Sequence, residues 1–249
     1  MRLVVLGCWG GFPPAGGATS GYLVETKAGS ILLDCGSGVL SQLSFYKPPF
    51  QVGAVILSHL HNDHVADLPV LQYALRTYAR RGFAVNFPVP VYVPADADLS
   101  SLEHLEPEFK VIPVDTGTAY DILSARVTFA PTTHPVASNA VRLEEDGSVL
   151  VYSGDSEPDD NLTELALHAD LLLCESTNVP ESFHSSGRGH MGPIEAAQTA
   201  KSAQAKGLVL THLPSDGDLL HARELARMAF AGPVELASVK SVYAVGEAE

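Results

Sequence analysis

Cysteine is scarce in this chain and shows no pairing pattern. Cys8, Cys35 and Cys174 are odd in number, widely spaced and never arranged as C-x-x-C, which excludes a disulfide framework and leaves them to be read as buried thiols. Long apolar runs are missing as well. No stretch approaches the roughly 18 residues of a membrane span, and the apolar run within residues 1–7 is too short for a signal peptide. No membrane partner is expected, and the expected location is cytoplasmic. Positive charge is the third shortage: 15 Lys and Arg stand against 29 Asp and Glu, a formal net charge of −14. Phosphate neutralisation needs clustered cations, so a stable nucleic-acid complex is not expected. Arg76, Arg80 and Arg81 form the one local basic cluster, and their helical spacing reads as a solvated helix face. The glycine- and proline-rich segment 7–17 lacks the Gly-Lys-Ser/Thr ending of a phosphate-binding loop and reads as a loop bordering a pocket.

What is present describes an ordinary globular chain of 249 residues, 46% hydrophobic and 18% charged, with enough length for a sizeable core. No linker, low-complexity tract or repeat divides it, so a single domain over 1–249 is expected. The pattern predicts strands near 3–6, 21–25, 30–33, 53–57, 89–93, 110–114, 125–130, 140–143, 149–152, 171–174 and 208–210. Asp146-Gly147 reads as a tight hairpin turn between two of them. Helices are expected over 39–45, from Asp63 onward, over 69–81, around 100–105, from 193 to 207 and over 219–230.

The stretch that carries chemistry is Ser58-His59-Leu60-His61-Asn62-Asp63-His64, an H-x-H-x-D-H pattern placed between the apolar run 53–57 and a helix. Close imidazoles and a carboxylate suit borderline-soft divalent metals. His59 and His61 can face one ion while Asp63 and His64, beyond the bend, face another. Further ligands must come from elsewhere, and several predicted strands stop at suitable residues: His134, Asp155 and His212. Asp34, at another strand end, can either support a metal ligand or cap the following helix.

With these residues in order, nearly the whole chain resembles the metallo-β-lactamase superfamily. The resemblance implies an α/β fold, an αββα sandwich of two packed sheets flanked by helices, with two divalent metal ions at one edge. Zinc is the expected metal, with manganese or iron as alternatives. It also implies His59, His61 and His134 on one ion, Asp63, His64 and His212 on the other, and Asp155 bridging both. The branch resembled most is that of the ribonuclease Z-like phosphodiesterases, including short bacterial relatives. Cys174-Glu175-Ser176-Thr177 is similar to that branch's His-Glu-Ala-Thr element, with a cysteine in place of its histidine. In the loop 187–190, His190 falls where the branch keeps a proton-donating histidine. The expected catalytic residues are therefore His190, Asp63 and Glu175, and the expected nucleophile is a hydroxide bridging the metals.

The branch's basic loop after the first strand corresponds here to Pro14-Ala15-Gly16-Gly17-Ala18-Thr19, which carries no cation. A small-molecule phosphodiester is accordingly the expected substrate rather than a tRNA precursor. A lactonase or thioesterase on the same metals, a tRNA 3′-processing nuclease and a non-catalytic metal-binding regulator are the alternatives. Pairing with a second copy of the chain is left open.

Overall fold

The computed structural model describes residues 1–180 and 188–246, so Gly187 of the loop before His190 lies outside the described residues. The strands in chain order are β1 (Arg2–Gly7), β2 (Gly21–Thr26), β3 (Gly29–Leu33), β4 (Ala54–Ile56), β5 (Val89–Pro94), β6 (Phe109–Val114), β7 (Ala119–Ile122), β8 (Ala125–Pro131), β9 (Asn139–Glu145), β10 (Ser148–Tyr152), β11 (Leu171–Glu175), β12 (Leu208–Thr211), β13 (Val234–Leu236) and β14 (Val242–Ala244). They form two seven-stranded mixed sheets, ordered β14-β1-β2-β3-β4-β5-β6 and β13-β12-β11-β10-β9-β8-β7. The helices are α1 (Val39–Leu43), α2 (Asn62–Val65), α3 (Leu68–Arg80), α4 (Asp160–Leu165), α5 (Pro193–Ser202) and α6 (Leu219–Ala229).

Alternation along the strands builds the layers. In β1, Leu3 and Val5 point into the core between the sheets, where they join Tyr22, Ile31 and Ile56 against Val127, Phe129, Leu143, Tyr152 and Leu173. Val4 and Leu6 point the other way, into a second core with Leu23, Leu32, Val55 and the helical residues Val39, Leu68, Leu71 and Leu75. The second sheet repeats the arrangement, with Val151, Leu172, Cys174 and Leu210 covered by alanines of α5 and by Leu162 and Ala226. Strands buried on both faces must read as near-continuous apolar runs, as Leu171–Glu175 does. The result is the expected αββα sandwich. In α3, Leu68, Leu71, Gln72 and Leu75 are buried at i, i+3, i+4 and i+7, the stripe of an amphipathic helix on a core.

The expected turn at Asp146-Gly147 joins β9 and β10, with both residues at positive φ (49° and 78°) as a two-residue hairpin requires. The helix expected to reach 207 ends at Ser202 instead. Gln204 enters the left-handed region (φ 54°) and the Ala205 amide closes back on the Ala200 carbonyl, which terminates the helix before the chain turns into β12. The segment around 100–105 is a 3₁₀ helix over Leu99–Leu105. Strands β7, β13 and β14 and helix α4 were not anticipated.

Candidate metal centre

Most of the predicted site residues lie at or just beyond the C-terminal end of a strand. Asp34 follows β3, His59 comes three residues after β4, His134 after β8, Asp155 after β10 and His212 directly after β12, while Glu175 is the last residue of β11. The short helix α2 begins beyond His61 and presents Asp63 and His64 in its first turn. The edge where these strand ends meet therefore collects the whole set. Two non-glycine residues there, Asp34 (φ 55°) and His212 (φ 50°), hold left-handed backbone, a cost of about 1 kcal/mol or more each that functional sites commonly carry.

The side chains converge as two groups with one shared member. His61 Nδ1 lies 3.0 Å from His59 Nε2 and 3.1 Å from His134 Nε2. His212 Nε2 lies 3.2 Å from His64 Nε2 and 3.1 Å from Asp63 Oδ2. Asp155 stands between them, its Oδ2 at 3.6 Å from His59 Nε2, 3.4 Å from His64 Nε2 and 3.4 Å from His212 Nε2. Its other oxygen, Oδ1, is buried without a hydrogen-bond partner. Four ligand atoms of His59, His61, His134 and Asp155 fall within 4.8 Å of one another, as do those of Asp63, His64 and His212. An orphaned buried carboxylate oxygen among converging imidazole nitrogens is the donor set of a cation site, so the residues present fit divalent metal.

The far side of each ring decides which nitrogen is free. His64 Nδ1 donates to Asp34 Oδ2 at 2.7 Å, and His134 Nδ1 donates to the Gly189 carbonyl at 2.8 Å, which leaves Nε2 of both for the centre. Asp34 is fully buried and also receives Ser58 N–H and the hydroxyls of Ser58 and Tyr152, at 2.7, 2.8 and 2.7 Å. Helix α1 is preceded by Gly38 without a side-chain cap, so of the two roles open to Asp34 the structure selects support of His64. Thr177 Oγ1 lies 2.7 Å from His212 Nδ1 and donates to Glu175 Oε2 at 2.9 Å.

The electrostatics suit ligation. Burial pushes the imidazoles of His59, His61 and His134 down, keeping them neutral with a lone pair to give. Burial alone would raise the carboxyls of Asp63 and Asp155. For Asp63 the His212 hydrogen bond, and for Asp155 the charges of His212 and His64, instead hold them below the usual carboxylate range. Burial disfavours charge on His64 too, yet Asp155 and Asp34 outweigh it and hold its pKa well above the ordinary value. The field at His64 thus favours a positive charge, carried by a proton or by a metal ion.

Beside this cluster, His190 Nδ1 donates to Glu175 Oε1 at 3.0 Å, and its ring stacks on His212 at 5.4 Å between centroids. Burial lowers the His190 pKa, but the hydrogen bond and charge of Glu175 more than offset it and raise the value to about 8. Glu175 is fully buried and accepts the Ser156 amide at 2.7 Å on the same oxygen. Cys174, in place of the expected histidine, points the other way, with Sγ 3.6 Å from Met191 Sδ in the helix-covered core. The cavity over the centre is about 240 Å³, lined by His61, Asp63, Asp155, Thr177, His190 and His212 with Gly10, Gly11 and Pro214; no lysine or arginine lines it among the described residues. Arg76, from the basic cluster, pairs with Glu108 at 2.7 Å.

Sequence reading named every residue of the two groups but missed Ser58 and Thr177 as partners of ring nitrogens, Tyr152 as a donor to Asp34, and Gly11, whose amide donates to Asp63 Oδ2 at 2.8 Å. Ser58, Gly11 and Thr177 carried a signal, in the H-x-H-x-D-H stretch, in the loop expected to border a pocket and two residues beyond Glu175, whereas Tyr152 carried none.

Comparison with known proteins agrees with this geometry. Residues 30–213 match the model of the Beta-lactamase superfamily domain. The chain is 38% identical over 239 residues to the probable metallo-hydrolase YhfI of Bacillus subtilis, covering 95% of this chain and 97% of YhfI. The YhfI crystal structure superposes with a TM-score of 0.92 at 37% identity, over 98% of this chain and 99% of that one. The ribonuclease Z of Mycobacterium bovis is 29% identical over 274 residues, 95% of each chain. The short form of human tRNase Z shares the fold, with a TM-score of 0.77 at 24% identity over 99% of this chain and 100% of that one. No helix among the described residues is long and apolar enough to cross a membrane. Converging histidines and carboxylates at the strand ends of two packed sheets, a family model spanning the site and a full-length relative together mean that the chain belongs to the metallo-β-lactamase superfamily of hydrolases, near its ribonuclease Z branch.

Proposed function

We propose that the protein is a phosphodiesterase that uses two divalent metal ions on a small phosphodiester. His59, His61 and His134 would hold one ion, Asp63, His64 and His212 the other, and Asp155 both, as its contacts to the two groups suggest. Bound there, divalent cations supply Lewis acidity to a phosphoryl oxygen and bring the pKa of water toward 7, and zinc suits the imidazole and carboxylate donors.

The observation that carries the reading is His190, held by Glu175 at 3.0 Å on the wall of the same cavity. With Nδ1 committed to Glu175, Nε2 is the nitrogen left to carry a transferable proton, and the Glu175 carboxylate favours the protonated ring. Hydrolysis of a diester with a basic leaving group calls for such a proton at the departing oxygen. The Asp63 carboxylate is fixed by the Gly11 amide and His212, so it remains an anion oriented toward the centre. A cavity of about 240 Å³ is smaller than the ordinary ligand pockets of about 300–1,000 Å³. Small size, the absence of lining cations among the described residues and a net charge of −14 favour a small monoanionic diester over RNA.

The test is a parallel screen of zinc-loaded protein against phosphodiesters, phosphomonoesters, lactones and thioesters, with His190→Ala beside the wild type. Phosphodiesters should turn over fastest. Loss of a general acid costs typically about 10²–10⁴-fold, and only where the leaving group is too basic to depart as an anion. His190→Ala should therefore cripple alkyl or nucleotide-like diesters, spare a nitrophenyl diester and keep its metal. Faster turnover of a lactone or thioester overturns the reading. Efficient, salt-sensitive trimming of a tRNA precursor overturns the small substrate. Metal loss in the variant would make His190 a ligand, as its closeness to Asp155 and His212 allows.

A further inference from the structure

Three consecutive residues after β10 serve three different parts of the site. Asp155 faces both ligand groups, the Ser156 amide donates to Glu175 Oε1 at 2.7 Å, and the Glu157 carboxylate accepts the Gly189 amide at 2.8 Å. Glu157 belongs to none of the ligand groups. Its own amide donates to the Thr133 carbonyl at 2.9 Å, which ties it to the residue before His134.

Gly189 is the point where these contacts meet. Its φ is +86°, and a Cβ added there would stand 2.3 Å from Pro135 Cδ and 2.7 Å from His134 Nδ1, so its backbone rests directly on the His134-Pro135 unit. Both of its polar backbone groups are used: the carbonyl accepts His134 Nδ1–H at 2.8 Å while the N–H goes to Glu157. The next residue is His190, whose Nδ1 is held by Glu175 and whose carbonyl accepts Asn178 Nδ2 at 2.9 Å. One residue therefore stands between the imidazole offered to metal and the imidazole offered to the leaving group.

We propose that Glu157 is a positioning residue that, by holding the Gly189 amide, locks His134 and His190 to each other. Without that anchor, Gly189 is free to lift from His134. His134 then loses the carbonyl that fixes its tautomer and ring plane, and His190 loses its height over the cavity. Partners that orient metal-binding histidines are worth about 10–100-fold in affinity or activity. The role given to His190 rests on the phosphodiesterase reading; the hold on His134 does not.

The experiment compares wild type, Glu157→Ala, Glu157→Gln and His190→Ala by three measurements: hydrogen exchange of the Gly189 amide followed by NMR, zinc affinity by competitive titration, and rates on diesters of graded leaving-group basicity. In Glu157→Ala the Gly189 amide should exchange at least about tenfold faster, zinc should bind on the order of tenfold more weakly, and rates should fall on the order of tenfold for basic leaving groups but scarcely for nitrophenyl. Glu157→Gln keeps an acceptor oxygen in place and should stay close to wild type in all three. Unchanged Gly189 exchange in Glu157→Ala overturns the proposal. So does faster exchange with zinc affinity and leaving-group dependence both at wild-type values. Wild type inert toward every diester, or His190→Ala losing equally on all of them, sinks the phosphodiesterase reading instead. In that event Gly189 exchange and zinc affinity decide the clamp alone, and wild-type values of either overturn it.

Discussion

Asp34 shows how much of the centre depends on a residue that touches no ligand space. One buried carboxylate takes four donors, from the Ser58 amide, the Ser58 and Tyr152 hydroxyls and His64 Nδ1. It thereby fixes which His64 nitrogen faces the metal groups and joins β3, β4 and β10 at one atom pair. An asparagine there would turn an NH₂ toward at least one of these donors and strand it in a dry site. Asp34→Asn should destabilise the fold by about 2–4 kcal/mol and weaken metal binding about 10–100-fold. Denaturant unfolding and a competitive zinc titration check the two effects separately, and a variant that binds zinc like the wild type would remove Asp34 from the centre. At this scale the candidate ligands were legible, because metal chemistry restricts them to a few residue types at recognisable spacing. Their supporters were less so: a ring nitrogen or the carboxylate behind it can be satisfied by any polar group, and Tyr152 on β10 and Thr177 two residues beyond β11 lie far away in sequence.

Among the elements, α3 is held to the sheet by more than its apolar stripe. Arg76 Nε and Nη2 bond Glu108 at 2.7 and 2.8 Å, and Gln72 Nε2 adds a third contact at 3.1 Å, pinning the helix to the segment that enters β6. The Arg76 hydrogen bonds hold the Glu108 pKa below its usual value against its burial. A depressed folded pKa contributes stability that is present above the unfolded carboxyl value of about 4.3 and is lost as pH falls through the folded value. Glu108→Gln should therefore cost about 0.5–1 kcal/mol at pH 7, since Arg76 stands partly in solvent. The gap to wild type should narrow below about pH 4. Unfolding curves at both pH values test it, and a gap independent of pH would show that shape rather than charge matters there. Long periodic elements such as α3 and doubly buried strands such as β11 were legible because their burial is written in their own residues. The three-residue edge strands β13 and β14 were not, since β14 exists only through its pairing with β1. Helix α4 is a single short stretch capped by Asp159, too brief for a period to show.

For the molecule as a whole, the centre is a seam. Its donors come from beyond β4 and from α2 on one sheet and from beyond β8, β10 and β12 on the other, so a cation bound there bridges the two halves of the sandwich. Folding without it leaves the Asp63 and Asp155 carboxylates among converging rings, in a chain already at −14. A ligand that binds the folded state alone stabilises it by about 4 kcal/mol at a free concentration a thousandfold above Kd. For a chain of this length that corresponds to on the order of 10 °C in Tm. Stripping the metal with a chelator should lower Tm by about this amount, and zinc should restore it, with elemental analysis returning about two ions per chain. Asp155→Ala, lacking the carboxylate that faces both groups, should hold fewer and gain less from zinc. Sodium chloride separates the explanations, because it screens long-range repulsion without occupying the seam. Full recovery of Tm in salt alone would mean that the chelator effect is one of net charge, and an unchanged Tm after stripping would show that the two sheets meet without help from metal.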